Sequence, residues 1–111
     1  MAEGTMVSEA YKACEILRNE GYDPTLVNVR FLHDIDRELI LQMSETHSLF
    51  VIAEEVVYTG SYAERCRAAF DDIRIRAVTL PDKFIEHGSV NQLRERYHIT
   101  AEDIANRVKE A

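Results

Sequence analysis

The feature that most constrains this chain is a short apolar run, Leu49–Ala53, set between two segments with helical spacing. A run of this length without polar alternation is typical of a strand that is covered on both faces, as in a parallel sheet. Parallel neighbours need long crossover connections, which are usually helices. The run therefore predicts an α/β fold, with a three-layer α/β/α arrangement around a small, mainly parallel sheet.

The rest of the chain alternates between helical and strand patterns. Apolar residues at helical spacing predict a first helix at Met6–Asn19, with Gly21 as a left-handed cap after it. Alternating apolar residues predict two further strands, at Thr25–Phe31 and Ile73–Leu80. The second of these is expected to be an outer strand with a solvated edge, and Pro81 ends it because proline has no N–H group to donate.

Capping residues mark where the remaining helices begin. Each start carries a side chain that can accept a hydrogen bond from a free backbone N–H group. Two starts also have Glu or Gln three residues later, which predicts a capping box. Ile99 and Ile104 flank the last start at the positions of a hydrophobic staple. The capping residues are Asp34 and Asp36, Ser61 with Glu64, Ser89 with Gln92, and Thr100.

Composition limits the class of protein. With 111 residues, 46% of them hydrophobic, the chain fits one domain, residues 1–111, with a modest core. A net charge of −7 argues against nucleic acid or an anionic membrane as a partner. The sequence has neither an apolar run approaching ~20 residues nor a secretory leader, so a cytoplasmic location is expected. Cys14 and Cys66 lie on apolar sides of predicted helices, where reduced thiols are usually buried.

Polar residues gather where the predicted strands end, which is where open parallel sheets bind ligands. Glu54 and Glu55 are adjacent in an extended segment, so their side chains should point apart and a carboxylate dyad is not expected. Gly60 and Ser61 could offer free N–H groups to a phosphate or carboxylate, although helix capping explains the same residues. The candidates for an anion site or an interdomain contact are Glu54, Gly60, Ser61, His87, Gly88 and Ser89.

Other chemical signatures in the sequence are weak. His87 fits a residue that anchors a loop as well as a catalyst. His33, His47 and His98 lack the spacing of metal ligands. The sequence contains no Gly-rich phosphate loop, no Gly-Asp-Gly signature for thiamine diphosphate and no nucleophile elbow. Composition and spacing alone therefore predict an α/β domain but no specific function.

Longer stretches of the sequence resemble a known family. The segments Gly4–Ala10, Asn28–Leu32 and Ile35–Ile40 resemble the C-terminal domain of the transketolase superfamily. Within that superfamily, Val51–Glu55 and above all Leu80–Ser89, which reads Leu-Pro-Asp-Lys-Phe-Ile-Glu-His-Gly-Ser, are similar to 1-deoxy-D-xylulose-5-phosphate synthases. The resemblance covers nearly the whole chain.

The resemblance implies part of a transferase that condenses pyruvate with glyceraldehyde 3-phosphate for isoprenoid synthesis. In that family thiamine diphosphate, magnesium and the catalytic histidines belong to two upstream domains, so it implies no cofactor, metal or catalytic residue in this chain. The implied role is an accessory domain that supports a homo-oligomer and is inactive alone. Its implied partners are the thiamine-binding domains, in the same enzyme or in a separate subunit.

Two alternatives stay open from the sequence. One is the C-terminal domain of another superfamily member, such as a split transketolase or the beta chain of a 2-oxo acid dehydrogenase. The sequence of Leu80–Ser89 argues against this alternative, because it is most similar to the 1-deoxy-D-xylulose-5-phosphate synthases. The other is a stand-alone regulatory module that binds a small anion through Gly60, Ser61 and His87.

The chain departs from the family at its first strand, which lies near the middle of the family's sheet. Only Met1–Glu3 precede Gly4, so that strand is expected to be missing. Unpaired ladder groups in a buried place cost on the order of a kcal/mol each. We therefore expect the remaining strands to close up, or another chain to fill the gap by strand addition. The loop Glu55–Gly60 and Asp34 also differ from the family pattern.

Overall fold

The computed structural model describes residues 1–30, 34–82 and 90–110 as one sheet with helices around it. Every strand pair in it is parallel, and the strand order is β2-β1-β3-β4, which confirms the predicted α/β class. The strands are β1 (Ala2–Glu3), β2 (Asn28–Val29), β3 (Phe50–Val57) and β4 (Ile75–Leu80). The helices are α1 (Met6–Asn19), α2 (Arg37–Ser44), α3 (Tyr62–Ala69), α4 (Val90–Arg96) and α5 (Ala101–Lys109).

The central strand β1 is present, so the prediction that the first strand is missing was wrong. Ala2 donates its N–H to the carbonyl oxygen of Val27 on one side (2.9 Å), and the N–H of Ala53 donates to the carbonyl of Met1 on the other (2.9 Å). Met1 also donates from its backbone nitrogen to the carbonyl of Val51 at 2.7 Å. These bonds hold β2 and β3 a full strand apart. The remaining strands therefore do not close up, and strand addition by another chain stays a prediction.

The length of β1 explains why β2 is shorter than the predicted Thr25–Phe31. Ala2 pairs with Asn28 and Glu3 pairs with Val29, and β1 then ends. A strand exists only where it has a ladder partner, so an edge strand can be no longer than the neighbour that it pairs with. Phe31 lies outside the described residues. By contrast, β3 runs past the predicted Ala53 to Val57, and β4 begins at Ile75, two residues later than predicted.

Two apolar cores lie on opposite faces of the sheet. One packs α1 and α5 against it and contains Met6, Leu17 and Ile104. The other packs α2 and α3 against it and is centred on Ile40 and Ile52, both 1% exposed. Alternate residues of β3 supply the two cores, because side chains of a strand point to opposite faces in turn. The sheet is thus buried on both sides, as the apolar run at its centre predicts.

The helix ends follow the predicted capping chemistry closely. Gly21 has φ +91° after α1, and its N–H donates to the carbonyl of Arg18 while that of Tyr22 donates to the carbonyl of Leu17, which is the Schellman arrangement. Asp36, rather than Asp34, is the N-cap of α2.

The last helix begins with a capping box, in which Thr100 and Asp103 satisfy each other's backbone N–H groups. Ile99 and Ile104 lie together in one core, as the staple predicts. The box predicted at Ser89 lies outside the described residues. Among the helices that the structure describes, none is long and apolar enough to span a bilayer.

Replacing Ala2 with aspartate tests the central position of β1. Ala2 has no exposed surface, so the Ala2→Asp side chain would place an unpaired charge in the core that contains Met6. We expect it to lower the free energy of unfolding by about 3 to 5 kcal/mol, measured by urea denaturation. The matched control is Ala68→Asp, on the exposed face of α3, which should cost less than about 0.7 kcal/mol. Similar losses for the two variants would contradict a buried central strand.

Candidate functional site

Glu54 lies at the carboxyl end of the buried part of β3, where the sequence places a candidate site. Its side chain is 2% exposed. One carboxylate oxygen accepts the N–H of Tyr62 and the other accepts that of Ala63, both at 2.9 Å. These are the first two N–H groups of α3, which have no partner inside the helix. Glu54 therefore occupies the position where a bound anion would meet this helix end.

The other N–H groups at the start of α3 also have acceptors within the chain. Ser61 is the N-cap, and its hydroxyl accepts the N–H of Glu64 at 3.1 Å. The Glu64 carboxylate in turn accepts the N–H of Gly60 (3.2 Å), not the N–H of Ser61. The N–H of Ser61 donates instead to the carbonyl of Tyr58. The predicted capping box is thus displaced by one residue on its return side. Gly60 permits this turn, since its φ is +83°.

The structure brings Glu54, Gly60 and Ser61 together, as the sequence predicts for a shared site. It does so through contacts that fix the β3–α3 turn, and an external anion at this helix end would have to displace the Glu54 carboxylate. The other three candidates, His87, Gly88 and Ser89, lie outside the described residues. The assignment of an anion site or an interdomain contact to this group of residues stays a prediction.

Glu55 points to the opposite side of the sheet from Glu54, as strand alternation predicts. One of its oxygens accepts the hydroxyl of Thr5 and a guanidinium N–H of Arg94, the latter at 3.3 Å. Arg94 also donates to the carbonyl of Thr5 at 3.3 Å. The contact joins the ends of β1 and β3 to α4.

Glu9 completes this second polar cluster on the face that carries α1. One of its oxygens lies 3.5 Å from Nη1 of Arg94, and the other accepts the N–H of Ala101, the first residue of α5, at 2.9 Å. The side chains of Arg94 and Glu9 are only 11% and 13% exposed, so water screens the pair weakly. Sequence reasoning missed this cluster. Glu9 and Arg94 are 85 residues apart, and no local pattern links them.

Asp82 ties the segment after β4 to the loop after β3. Its carboxylate accepts the backbone N–H of Thr59 at 3.0 Å and the hydroxyl of the same residue at 2.8 Å. Those two hydrogen bonds favour the charged form and hold the pKa of Asp82 below its usual value.

Each histidine that the structure describes lies beside a polar side chain of the same chain, and both cysteines are buried. His47 lies within 2.9 Å of the hydroxyls of Thr25 and Thr46. His98 is a left-handed residue with φ +59° just after α4, and its ring is 82% exposed. Cys14 and Cys66 are both buried and free, as predicted, and burial raises the pKa of the Cys66 thiol. No group of metal-ligating side chains occurs among the described residues, and His33 lies outside them.

Glu3 is the one residue of the central strand that carries a charge. Partial burial, together with the nearby negative charge of Glu54, raises its pKa, and Arg65 offsets part of this effect. The charged form is therefore disfavoured in the folded protein.

Comparison with known proteins adds what the geometry alone does not give. The family model described as "Transketolase, C-terminal domain" matches residues 1–104. The chain belongs to this family. The match covers every strand of the described sheet, the helices α1 to α4 and the start of α5, so membership does not rest on a single motif.

Several curated proteins that resemble the chain are synthases. The chain is 37% identical over 97% of its length to the 1-deoxy-D-xylulose-5-phosphate synthase of Dehalococcoides mccartyi. The same identity relates it, over 96% and 98% of its length, to the synthase of Caldanaerobacter subterraneus and to "1-deoxy-D-xylulose-5-phosphate synthase 2" of Geobacter sulfurreducens. It spans 18% of the length of each of these relatives.

A solved structure from the family has the same fold. A chain titled "Split gene transketolase, inactive beta4 tetramer" superposes with a TM-score of 0.89 and 29% sequence identity. The superposition covers 99% of this chain and 37% of that one. It supports the three-layer transketolase C-terminal architecture.

The role of Glu54 as an internal helix cap can be tested with Glu54→Gln. The amide keeps the shape of the side chain but turns one of the two acceptors into a donor that faces an N–H group. We expect a loss of about 2 kcal/mol in the free energy of unfolding, measured by urea denaturation at pH 7. Glu15→Gln, on the exposed face of α1, is the control and should stay within about 0.5 kcal/mol of the parent chain. Equal stability of the two variants would remove the capping role.

The raised pKa of Glu3 predicts how stability depends on pH. A group whose pKa is higher in the folded state adds stability below its unfolded pKa and loses that contribution as pH rises through its folded pKa. Glu3→Gln should therefore be more stable than the parent chain at pH 7, and the difference should shrink toward pH 4. Urea midpoints between these two pH values measure it, with Glu15→Gln as the control. A difference that grows on acidification would contradict the raised pKa.

Proposed function

We propose that the chain is the C-terminal accessory domain of a 1-deoxy-D-xylulose-5-phosphate synthase. Thiamine diphosphate and magnesium would be bound by other domains, in the same polypeptide or in a separate subunit, and the chain would support the assembled homo-oligomer. The observation that carries the proposal is the 37% identity to such a synthase over 97% of the chain. Similarity of this extent favours the synthase over other members of the superfamily.

The contacts of the carboxylates at this edge of the sheet favour a structural role over a catalytic one. A catalytic carboxylate must be able to reach a substrate and change its protonation state. Here Glu54 is committed to the first N–H groups of α3, Glu55 to Thr5 and Arg94, and Asp82 to Thr59. Each of these carboxylates joins two elements of the domain. A reaction at any of them would compete with a contact that holds the carboxyl edge of the sheet together.

A coenzyme that is anchored by phosphate groups needs a cluster of N–H or cationic donors and a metal to bridge them. The start of α3 has the right geometry for a phosphate, but its donors are taken by the chain's own Glu54, Ser61 and Glu64. This arrangement favours thiamine binding on another domain. It gives no support to a stand-alone anion-binding module at this helix.

Reconstitution tests the proposal directly. The purified chain is assayed with pyruvate, glyceraldehyde 3-phosphate, thiamine diphosphate and Mg²⁺, both alone and mixed with a Dehalococcoides mccartyi synthase from which the segment matching this chain has been removed. We expect no product from either polypeptide alone and recovery of 1-deoxy-D-xylulose 5-phosphate formation in the mixture. The companion without this chain is the matched control for residual activity.

Two outcomes would overturn the proposal. Product formation by the chain alone would show a complete active site within it. Failure of the chain to associate with the shortened synthase, measured by light scattering, would remove the accessory role. Calorimetry with glyceraldehyde 3-phosphate and the isolated chain separates the regulatory alternative, because binding at millimolar ligand, near −4 kcal/mol, would favour an anion-binding module instead.

A further inference from the structure

A strip of positive charge runs along the outer strand of this acidic protein. Arg74 precedes β4 and Arg76 is its second residue, while Arg67 comes from α3 and Arg107 from α5. All four line one open groove of about 550 Å³ with Tyr58. Among the described residues that line this groove, none is a carboxylate. A local excess of arginine is unexpected in a chain with a net charge of −7. We call this surface the arginine edge.

The same groove exposes the unpaired backbone of an edge strand. The N–H of Phe50 donates to the carbonyl of Arg74, in register with Ile75, so Arg74 and Arg76 turn their backbone groups toward β3. Backbone direction alternates along a strand, and the N–H and C=O groups of Ile75, Ala77 and Thr79 therefore face outward. All three line the groove, and within the described part of the chain no strand pairs with this side of β4.

The arginines have fixed positions relative to those free ladder groups. Val78 belongs to the core beneath α5, so alternation places Arg74 and Arg76 on that face, beside Arg107. Ile75 belongs to the core beneath α3, on the face where Arg67 donates to the hydroxyl of Tyr58 at 3.2 Å. The edge thus offers backbone hydrogen bonds with a basic border on one face and a partly apolar one on the other.

We infer that the arginine edge binds an extended acidic segment of another polypeptide, which adds to the sheet as a strand next to β4. Backbone hydrogen bonds at Ile75, Ala77 and Thr79 would hold the segment, and carboxylates on alternate residues would lie against Arg74 and Arg76. Opposite charges across neighbouring strands are stabilising, and strand addition at exposed edges is a known mode of peptide recognition. The inference concerns this surface alone and does not rest on the proposed reaction.

A second copy of the chain is the wrong occupant for this edge. Pairing β4 with β4 across a two-fold axis would gather Arg74 and Arg76 of both copies on one face of the joined sheet, and in the register centred on Arg76 the two copies of that residue would lie directly opposite each other. Like charges directly opposite each other destabilise a strand pair. The arginines therefore select an acidic partner and at the same time hinder edge-to-edge aggregation of the chain.

Peptide binding to the intact 111-residue chain tests the inference. The probe is a capped peptide as long as β4, six residues, in which Glu and Val alternate, and the control peptide has Lys in place of Glu. We expect the acidic peptide to shift the amide resonances of Ile75, Ala77 and Thr79 in nitrogen-15 spectra and to slow their hydrogen exchange. The basic peptide should leave these resonances unchanged.

Charge reversal provides the matched variants. Arg74→Glu combined with Arg76→Glu should weaken binding of the acidic peptide about tenfold and create binding of the lysine peptide. Arg30→Glu, at an exposed position just after the opposite edge strand, should leave both affinities unchanged. Arg74→Glu alone, at an exposed site, should show a smaller change of the same sign and serves if the double variant does not fold.

The inference fails if neither peptide binds, if both bind equally, or if the shifts map away from Ile75, Ala77 and Thr79. It also fails if inorganic phosphate at the same concentration shifts the same amides as strongly as the acidic peptide, because the surface would then be a simple anion patch. Binding of the lysine peptide by the double variant, with shifts at the same three amides, would support recognition of an extended segment by its charge.

Discussion

The whole sheet depends on the backbone hydrogen bonds of a central strand that is two residues long. Ala2 is bonded to Val27 on one side and Met1 to Val51 and Ala53 on the other, and with Glu3, which pairs with Val29, they separate β2 from β3. The strand order and the placement of α1, which follows directly, both rest on this short contact. Ala2 suits the position because a methyl group fits beneath α1 and α5 without exposed surface. Four parallel strands are thereby held in one sheet by very few bonds at its middle.

Carboxylates organise the carboxyl edge of that sheet by satisfying helix starts. Glu54 accepts the first N–H groups of α3, Glu9 accepts the first N–H group of α5, and Asp103 completes the cap of the same helix. A helix N-terminus carries partial positive charge, so each contact is favourable electrostatically as well as through hydrogen bonding. The chain can bury these acids despite its negative net charge because each one meets donors of its own domain. Acids at this edge thus act as structural ties between helices and strands.

Charge is distributed unevenly between two edges of the described sheet. The carboxyl edge is closed by internal contacts, whereas the outer side of β4 presents arginines and unpaired backbone groups to solvent. Membership of the transketolase C-terminal domain family and similarity to synthases over 18% of their length fit a domain that works beside others. The proposed acidic partner would approach an acidic chain from its basic edge, because opposite charges steer association.

Local signals in the sequence determined the α/β class, most helix ends and the outer position of β4. These signals act over only a few residues, so they can be recognised before the fold is known. Examples are the run Leu49–Ala53, the cap at Gly21 and the capping box at Thr100. Only the tertiary structure decided that Ala2 fills the centre of the sheet, that Glu54 closes α3 from eight residues away and that Glu9 meets Arg94. Such contacts depend on which distant backbones pack side by side, and packing is set by the whole core at once rather than by any segment in it.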